Sequence, residues 1–276
     1  MDSSFDREKC KQIRKNIFLT AYKGGIAHLA SSFSCVEILY TLYMKGIMKY
    51  DVDDLEMPDR DRFVLSKGHG GLALFTIMSE VGLLSKEKLQ TFLQPGTNVG
   101  GEPCMRDMKG IEASTGSLGH GLSMAVGMAM ANKMDARESK TYVLLGDGEC
   151  EEGVIWEAAA SAVTFQLDRL VAIMDCNSIQ KLKTVEDTIG YVMWKEKWQA
   201  FGWEVVEVDG HDMKALYEVL VKENEMGKPR LVIAKTIKGK GVSIMENDPK
   251  WHYRMPKKKE LSVFVEELGI LEGELI

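Results

Sequence analysis

Two polar side chains in this 276-residue sequence stand where apolar runs end. Asp147 follows the run 142–145 and lies between two glycines, and Asn177 follows the run 170–174. Both runs are typical of buried strands. The carboxyl ends of neighbouring parallel strands meet at one edge of a sheet, where α/β proteins bind ligands. We therefore expect the two side chains to lie close together at such an edge.

Carboxylate and amide oxygens at this edge suit a divalent cation that carries a phosphate. Mg²⁺ prefers oxygen ligands, commonly one or two carboxylates with phosphate oxygens and water. The carbonyl of Ile179, on the same turn as Asn177, is the expected third protein ligand. Gly146 and Gly148 have no Cβ and let the backbone approach a diphosphate, and the predicted helix from Gly153 adds N–H groups. The alternative is a tight turn with a capping acid and an unrelated asparagine.

Three other loops carry glycines and basic residues whose role the sequence alone leaves open. Lys67 and His69 follow a predicted strand and either bind a diphosphate or form a solvated loop. The glycine-rich turn 115–121 either approaches a phosphate or ring, or serves a contact between helices. The run 235–241 is basic and flexible, and its alternative is a solvated charged loop.

Strands and helices alternate along the chain, which predicts an α/β fold with a parallel sheet covered by helices on both faces. The predicted strands are 62–65, 141–145, 170–174, 203–208 and 231–235. The predicted helices are 6–22, 36–46, 71–81, 117–134, 153–166, 212–224 and 257–269. Ser34 and Glu37 are expected to form a capping box before the second helix. Residues 94–115 are expected to be a long loop, and the absence of a clear linker indicates a single domain over 1–276.

Composition restricts the class of protein. The net charge of -6 gives no reason to expect binding to nucleic acid or to an anionic membrane. No apolar run has the length of a membrane span, and the N-terminal residues lack the apolar region of a signal peptide. The five cysteines are scattered without disulfide or zinc spacing. A cytoplasmic protein with free thiols is the expectation.

The order of these motifs resembles the N-terminal half of the transketolases. The matching segments are 28–31, 37–39, 61–69, 115–119, 146–153, 156–158, 209–212, 234–241 and 251–252. They cover the chain from roughly residue 10 to residue 270. On this resemblance the sequence is identified as a member of the transketolase family. It looks like the thiamine diphosphate-binding (PP) subunit of a split transketolase, with the fold of a PP domain.

The resemblance implies a cofactor site with a metal ion. Mg²⁺, or another divalent cation such as Ca²⁺ or Mn²⁺, would be held by Asp147, Asn177 and the carbonyl of Ile179. His28 and His252 would be catalytic, facing the reacting carbon, where they polarise the ketose carbonyl or relay protons. Thiamine diphosphate would be bound by Ser31, Lys67, His69, Gly116, Ser117, Leu118, Gly146, Asp147, Gly148, Glu149, Asn177, Ile179, Lys238 and His252.

The implied reaction transfers a two-carbon ketol unit from a ketose or ketose phosphate to an aldose, a step of carbohydrate metabolism. In the family, the glutamate that protonates the cofactor belongs to a pyrimidine-binding (Pyr) domain, and the resemblance of this sequence is to the PP domain alone. A partner chain with the Pyr and C-terminal domains is therefore expected, in an α2β2 heterotetramer. The apolar helix 117–134 is the candidate contact, and Glu152 matches a family glutamate between protomers.

The sequence departs from the family pattern at two places. Glu102 stands where the family has the histidine of a Gly-His-Pro loop, which contacts a hydroxyl of the donor, so a different sugar is expected. Residues 181–183 replace a common Asp-Gly after Gln180. Two other functions are alternatives: the alpha subunit of a 2-oxoacid dehydrogenase-type decarboxylase, which would transfer an acyl unit to a lipoyl domain, and a non-catalytic relative. The His28, His69 and His252 set favours transketolase, and the intact metal ligands argue against loss of catalysis.

Overall fold

In residues 4–275, which a computed structural model describes, five strands form one parallel sheet. The strands are β1 (Arg62–Leu65), β2 (Thr141–Gly146), β3 (Leu170–Cys176), β4 (Glu204–Asp209) and β5 (Arg230–Lys235), in the order β1-β2-β3-β5-β4. In the central pair, Gly146 of β2 stands opposite Asp175 of β3. The two predicted site motifs therefore leave adjacent strands at the same edge.

Helices cover both faces of this sheet. They are α1 (Ser4–Gly24), α2 (Leu29–Phe33), α3 (Val36–Met44), α4 (Gly71–Glu80), α5 (Lys86–Leu89), α6 (His120–Met134), α7 (Gly153–Thr164), α8 (Val185–Ile189), α9 (Trp194–Ala200), α10 (Met213–Leu220) and α11 (Leu261–Leu268). None of the described helices is both long and apolar enough to cross a membrane.

Two apolar cores, one on each face, follow from the alternation of side chains along the strands. Tyr142 and Leu144 of β2 pack in the core that includes α1, α3, α4 and α10. Val143 and Leu145 pack in the core that includes α6, α7 and α9. Every residue of β2 is buried, as expected for a parallel strand covered on both sides. The predicted α/β fold is confirmed, and the five predicted strands lie within two residues of their positions.

The predicted capping box at Ser34 and Glu37 is wrong. The Ser34 hydroxyl donates to the carboxylate of Asp175 at 2.6 Å instead of capping α3. Glu37 forms a buried bidentate ion pair with Arg14, at 2.7 and 2.6 Å. The N-cap residue of α3 is Cys35, which makes no side-chain capping bond. A tertiary hydrogen bond and a tertiary ion pair therefore outcompete the local motif at this helix start.

The predicted helices 212–224 and 257–269 are shorter in the structure, since α10 ends at Leu220 and α11 begins at Leu261. Two features near the site also differ from prediction, each for a local reason. The helix predicted from residue 117 begins at His120, because Gly119 has φ of 84° and is left-handed. A short 3-10 turn, Gly148–Glu151, separates the Gly-Asp-Gly motif from α7. The N–H groups nearest the motif therefore belong to this turn and not to the helix that begins at Gly153. Residues 90–119 contain neither helix nor strand, which confirms the predicted long loop.

Candidate cofactor-binding site

A cavity of about 260 Å³ opens at the carboxyl edge of the sheet. Its walls include the predicted catalytic residue His28 and every predicted cofactor-binding residue except Ser117 and Asp147. Ser117 is exposed and lies outside the cavity lining. Asp147 is buried beside Gly146 and Gly148, which do line it. Segments that are distant in the sequence thus converge on one site.

Asp147 connects the two strand-end motifs directly. One carboxylate oxygen accepts a hydrogen bond from the Gly148 N–H at 2.8 Å, and the other accepts one from the Ser178 N–H. Burial, followed by the charge of Asp175, raises the pKa of Asp147 to about 6. A nearby cation would stabilise the charged form of this buried carboxylate. Asp147 therefore has the electrostatic surroundings expected of a metal ligand.

The other two predicted metal ligands, Asn177 and Ile179, lie on the turn after β3. The Asn177 side-chain oxygen accepts a hydrogen bond from the Ile179 N–H at 3.2 Å. The Ile179 carbonyl accepts one from the Lys238 ammonium at 2.7 Å. No group of three or more His, Cys, Asp or Glu in the described part of the chain is arranged to hold a metal. The predicted set is of a different kind, with one carboxylate, one amide and one carbonyl, and this oxygen chemistry fits Mg²⁺.

Lys238 supplies a cation to the same cavity. Its loop is held in place by two bonds, from the Gly239 N–H to the Ala30 carbonyl and from the Ile237 N–H to the His211 side chain, at 3.0 and 2.8 Å. Burial, and then the charge of Lys67, lowers the pKa of Lys238 to about 8. The ammonium is therefore a ready partner for an anion that enters the cavity.

Lys67 is occupied by a partner that the sequence did not suggest. Its ammonium forms an ion pair with Asp175 and donates to the Ser31 carbonyl at 3.1 Å. Both members of the pair are buried, with 1% and 0% of their side-chain surface exposed. The sequence does contain a signal for this pair, because Asp175 is an acid at the end of an otherwise apolar strand. A buried charge must be paired, so a cationic partner for Asp175 could have been expected.

Glu149 holds the turns around the cavity together. One of its oxygens accepts from the Ser66 hydroxyl at 2.5 Å and from the Gly119 N–H at 2.7 Å. Its other oxygen accepts from the Gly146 N–H at 3.0 Å. Burial raises the pKa of this carboxyl. Because both carboxylate oxygens are bonded to protein groups, the role of Glu149 is to hold the turns around the cavity in position.

The two glycine-rich turns touch each other. A Cβ on Gly68 would lie 2.8 Å from the backbone nitrogen of Gly116. Gly116 has φ of 139°, and a Cβ there would lie 2.0 Å from a carboxylate oxygen of Glu102. Gly68 is therefore required by the close approach of the Gly116 backbone, and Gly116 by its own positive φ. The contact brings the turn that carries His69 against the turn that carries Leu118, and both residues line the cavity.

Three histidines meet at the cavity, with ring centroids 5.2 to 5.6 Å apart: His28, His69 and His252. Tyr253, which the sequence did not single out, lies 4.3 Å from His28 between ring centroids. Burial, and then the charge of Lys238, lowers the pKa of His28 to about 4 and that of His252 to about 3. Burial also lowers the pKa of His69 well below its usual value. All three rings are thus neutral near pH 7.

The tautomer of His252 follows from its neighbour. The Lys238 ammonium lies 3.2 Å from Nδ1 of His252 and has only protons to give. Nδ1 therefore accepts, and the ring proton resides on Nε2. His252, which lines the cavity, is therefore a neutral imidazole with a defined N–H donor.

A second cavity of about 210 Å³ adjoins the first and shares His28, His69 and Glu102 with it. Tyr253 and Ser32 also line it. The loop that carries Glu102, predicted to contact the substrate, therefore does reach the histidine cluster. Gln180 and Lys181 also line the first cavity, and Lys181 begins the segment 181–183 that departs from the family pattern.

The residues present fit a diphosphate-bearing cofactor with its cation. The Ser31 hydroxyl in the cavity wall is buried and has no hydrogen-bond partner among residues 4–275. Lys238 supplies a positive charge, and Gly146 and Gly148 bring backbone to the cavity surface. The oxygens of Asp147 and Asn177 lie next to them on the strand ends. An unpartnered donor, a cation and oxygen ligands are the elements such a group needs.

Comparisons with known proteins agree with this site. The family model for the thiamine diphosphate-binding domain of transketolase matches residues 8–273. An apulose-4-phosphate transketolase subunit of Phocaeicola vulgatus is 41% identical over 93% of this chain and 91% of its own length. The 6-deoxy-6-sulfo-D-fructose transketolase subunit SqwG of a Clostridium species is 41% identical over 85% of each chain.

Solved structures give the same result. The transketolase of Campylobacter jejuni superposes with a TM-score of 0.89 at 29% identity, over 98% of this chain and 43% of that chain. Human transketolase is 32% identical over 95% of this chain and 42% of its own length. The chain therefore matches the two subunits over at least 85% of each chain, and spans about two fifths of the longer transketolases.

Proposed function

Because this chain belongs to the transketolase family and carries its thiamine diphosphate-binding domain, we propose that it works as the cofactor-binding subunit of a split transketolase that transfers a two-carbon ketol unit. The observation that carries the proposal is one cavity in which three neutral histidines face the Asp147–Asn177 edge. The family match and these histidines favour transketolase over the alpha subunit of a 2-oxoacid decarboxylase.

Asp147, Asn177 and the Ile179 carbonyl would hold Mg²⁺, or Ca²⁺ or Mn²⁺ in its place. Lys238 and the backbone at Gly148 would meet the diphosphate, with the Ser31 hydroxyl as a further donor. When bound, thiamine diphosphate supplies a carbon nucleophile and an electron sink for the ketose carbonyl. The protein provides the charges and the fixed geometry around it.

His28 and His252 would act on the substrate from the other side of the cavity. Because Lys238 fixes the proton of His252 on Nε2, this ring can donate a hydrogen bond to an oxygen that gains negative charge. His28 stacks against Tyr253 and is neutral, so it can accept or donate a proton at a hydroxyl. Both rings would orient the ketose and move protons as its carbon–carbon bond breaks.

The substrate is proposed to be a ketose or ketose phosphate donor with an aldose acceptor. Glu102 places a carboxylate between the two cavities, beside Gly116 and in the same walls as His28 and His69. A carboxylate repels an anionic group and accepts hydrogen bonds from hydroxyls. We therefore infer a donor whose end at this position is neutral and hydroxylated, with a hydroxyl that donates to the Glu102 carboxylate.

A partner chain is proposed to supply the Pyr and C-terminal domains, with residues 1–276 as a single PP domain in an α2β2 heterotetramer in the cytoplasm. Two relatives are named as subunits, which supports a partner. The outer side of α6 suits close contact, since Gly127 is exposed and Met134 is 78% exposed. Glu152 lies at the N-terminus of α7, next to Gly119. Residues 1–3 and 276 lie outside the described part of the proposed domain.

The test is a transfer assay with the purified complex of this chain and its Pyr-domain partner. A ¹³C-labelled aldose and an unlabelled ketose donor are supplied, and mass spectrometry follows the product. We expect a labelled ketose two carbons longer than the aldose, formed only with thiamine diphosphate, Mg²⁺ and both chains. Acyl transfer to a lipoyl domain, or no transfer despite bound cofactor, would contradict the proposal.

A further inference from the structure

Four ionisable side chains are buried together at the floor of the cofactor cavity. Lys67, Asp147, Asp175 and Lys238 each expose no more than 2% of their surface. Every one of them interacts electrostatically with the other three. Two are cations and two are anions, so the group as a whole is neutral. A buried charge is tolerated when an opposite charge compensates it, and the arrangement of partners therefore matters.

Lys67 and Asp175 form an ion pair in which each charge compensates the other. The ammonium contacts the Asp175 carboxylate, and this carboxylate also accepts from the Ser34 and Thr236 hydroxyls. The remaining contact of the Lys67 ammonium is to the Ser31 carbonyl. Charge and hydrogen bonds are thus satisfied within the protein.

Asp147 and Lys238 are arranged differently. Asp147 accepts from the backbone N–H groups of Gly148 and Ser178, and its charge is not paired with a contacting ammonium. Lys238 contacts the Ile179 carbonyl and His252. Within the described residues, neither group therefore forms an ion pair with the other, and both remain open to a cation and an anion respectively.

We propose that Asp175 is a positioning residue that captures the Lys67 ammonium and thereby leaves Asp147 available to the divalent cation. This inference rests on the proposed function, because it requires the cation to bind at Asp147. Without the charge of Asp175, the nearest uncompensated carboxylate of the group is Asp147. A buried ammonium is costly when unpaired, so Lys67 would turn to Asp147 and compete with the metal.

The arrangement predicts a specific defect and its rescue. The measurement is the Mg²⁺ concentration required for half-maximal binding of thiamine diphosphate, obtained by calorimetry on the complex with the partner chain. We expect Asp175→Asn to raise it by about tenfold or more, because one half of a buried pair is left behind. Adding Lys67→Met to Asp175→Asn removes the competing ammonium and returns the value to within about threefold of wild type. This loss of Lys67 is tolerated because its ammonium is bonded to Asp175 and the Ser31 carbonyl, and the diphosphate is proposed to meet Lys238 instead. Thr236→Val, which removes one hydroxyl and no charge, is the matched control and stays within about threefold.

A purely scaffolding role gives different results. An unchanged Mg²⁺ requirement in Asp175→Asn overturns the inference, as does a double variant that is as impaired as the single one. If circular dichroism shows that Asp175→Asn does not fold, the double variant is the deciding test. The inference then requires the double variant to fold and to bind with a near-normal Mg²⁺ requirement, and it is wrong otherwise. A wild-type complex that binds no cofactor overturns the proposed function itself, and the two failures are thereby distinguished.

Discussion

Asp147 is the residue on which the proposed cation site depends most, since it is the one carboxylate among the three ligands. We expect Asp147→Ala to reduce Mg²⁺-dependent binding of thiamine diphosphate by about 100-fold, because even residues that support a metal ligand contribute 10- to 100-fold. Asp187→Ala, at an exposed acid on α8, is the control and leaves binding unchanged. Calorimetric titration measures both. Unchanged affinity in Asp147→Ala would show that the metal site is assigned to the wrong residue.

Glu102 is the residue that we expect to decide the sugar. Glu102→Gln keeps the size of the side chain and removes its charge. We expect the ratio of kcat/KM for hydroxypyruvate, an anionic ketol donor, to that for neutral erythrulose to rise by about tenfold, equivalent to ~1.4 kcal/mol. The affinity for thiamine diphosphate should change by less than about twofold, because Glu102 faces the substrate side. A larger change in cofactor affinity than in this ratio would mean that the Glu102 loop has a different role.

The histidine cluster predicts how stability depends on pH. In the folded chain the pKa of His28 is lowered to about 4 and that of His252 to about 3, whereas in the unfolded chain both titrate near about pH 6.5. Below about pH 6.5 the unfolded chain therefore binds more protons than the folded chain. The free energy of unfolding decreases as the pH falls from about 6.5 to the folded-state pKa values. We expect the variant with both His28→Gln and His252→Gln to lose less stability than wild type between about pH 7 and pH 5. Chemical denaturation at each pH measures this, and equal losses would show that the rings are not held neutral.

At the scale of elements, the contact between the two glycine-rich turns is the feature most open to test. A Cβ at position 68 would lie 2.8 and 3.0 Å from backbone atoms of Gly116. We expect Gly68→Ala to destabilise the fold by about 1–3 kcal/mol and to weaken cofactor binding, because the turns must separate. Gly153→Ala, at the first residue of α7 with nothing within 4 Å of the added Cβ, is the control. Denaturation and calorimetry measure the two effects, and equal behaviour of the variants would contradict the close contact.

The centre of the sheet was predictable from the sequence because β2 and β3 are apolar on both faces and are followed by polar motifs. The run 170–174 needs no tertiary information to be recognised as a buried strand. The same holds for the site residues that directly follow strands, such as Asp147 and Asn177. The position of α6 was predicted as well, apart from its first turn, where the φ of Gly119 decides the start.

The partners of buried polar groups were not predictable, because they come from distant segments. Ser34 and Glu37 have the spacing of a capping box, but Asp175 and Arg14 bind them across the fold. From the sequence, Lys67 was expected to bind an anion. In the structure its ammonium is paired with Asp175, which comes from a strand distant in the sequence. Local propensity is a weak predictor wherever such a tertiary ion pair competes with it.

At the scale of the whole molecule, the proposed contact with a partner lies on α6. Gly127 is exposed there, and no atom lies within 4 Å of a Cβ added to it. We therefore expect Gly127→Arg to fold normally as a free chain but to weaken the complex with the Pyr-domain partner by about tenfold or more, because a large side chain obstructs a packed interface. Lys214→Glu, at a side chain 62% exposed on α10, is the control. Light scattering with size-exclusion chromatography compares them, and an unaffected complex in Gly127→Arg would move the interface elsewhere.

The most direct test of the central claim is calorimetric titration of thiamine diphosphate with Mg²⁺, combined with mass determination in solution, for this chain alone and with its partner. The account predicts tight, Mg²⁺-dependent binding in the mixture, in a complex with the mass of two copies of each chain, and ketol transfer in that mixture alone. Absence of cofactor binding in both samples would contradict it, and would mean that the Asp147–Asn177 edge is retained in a protein without catalytic function.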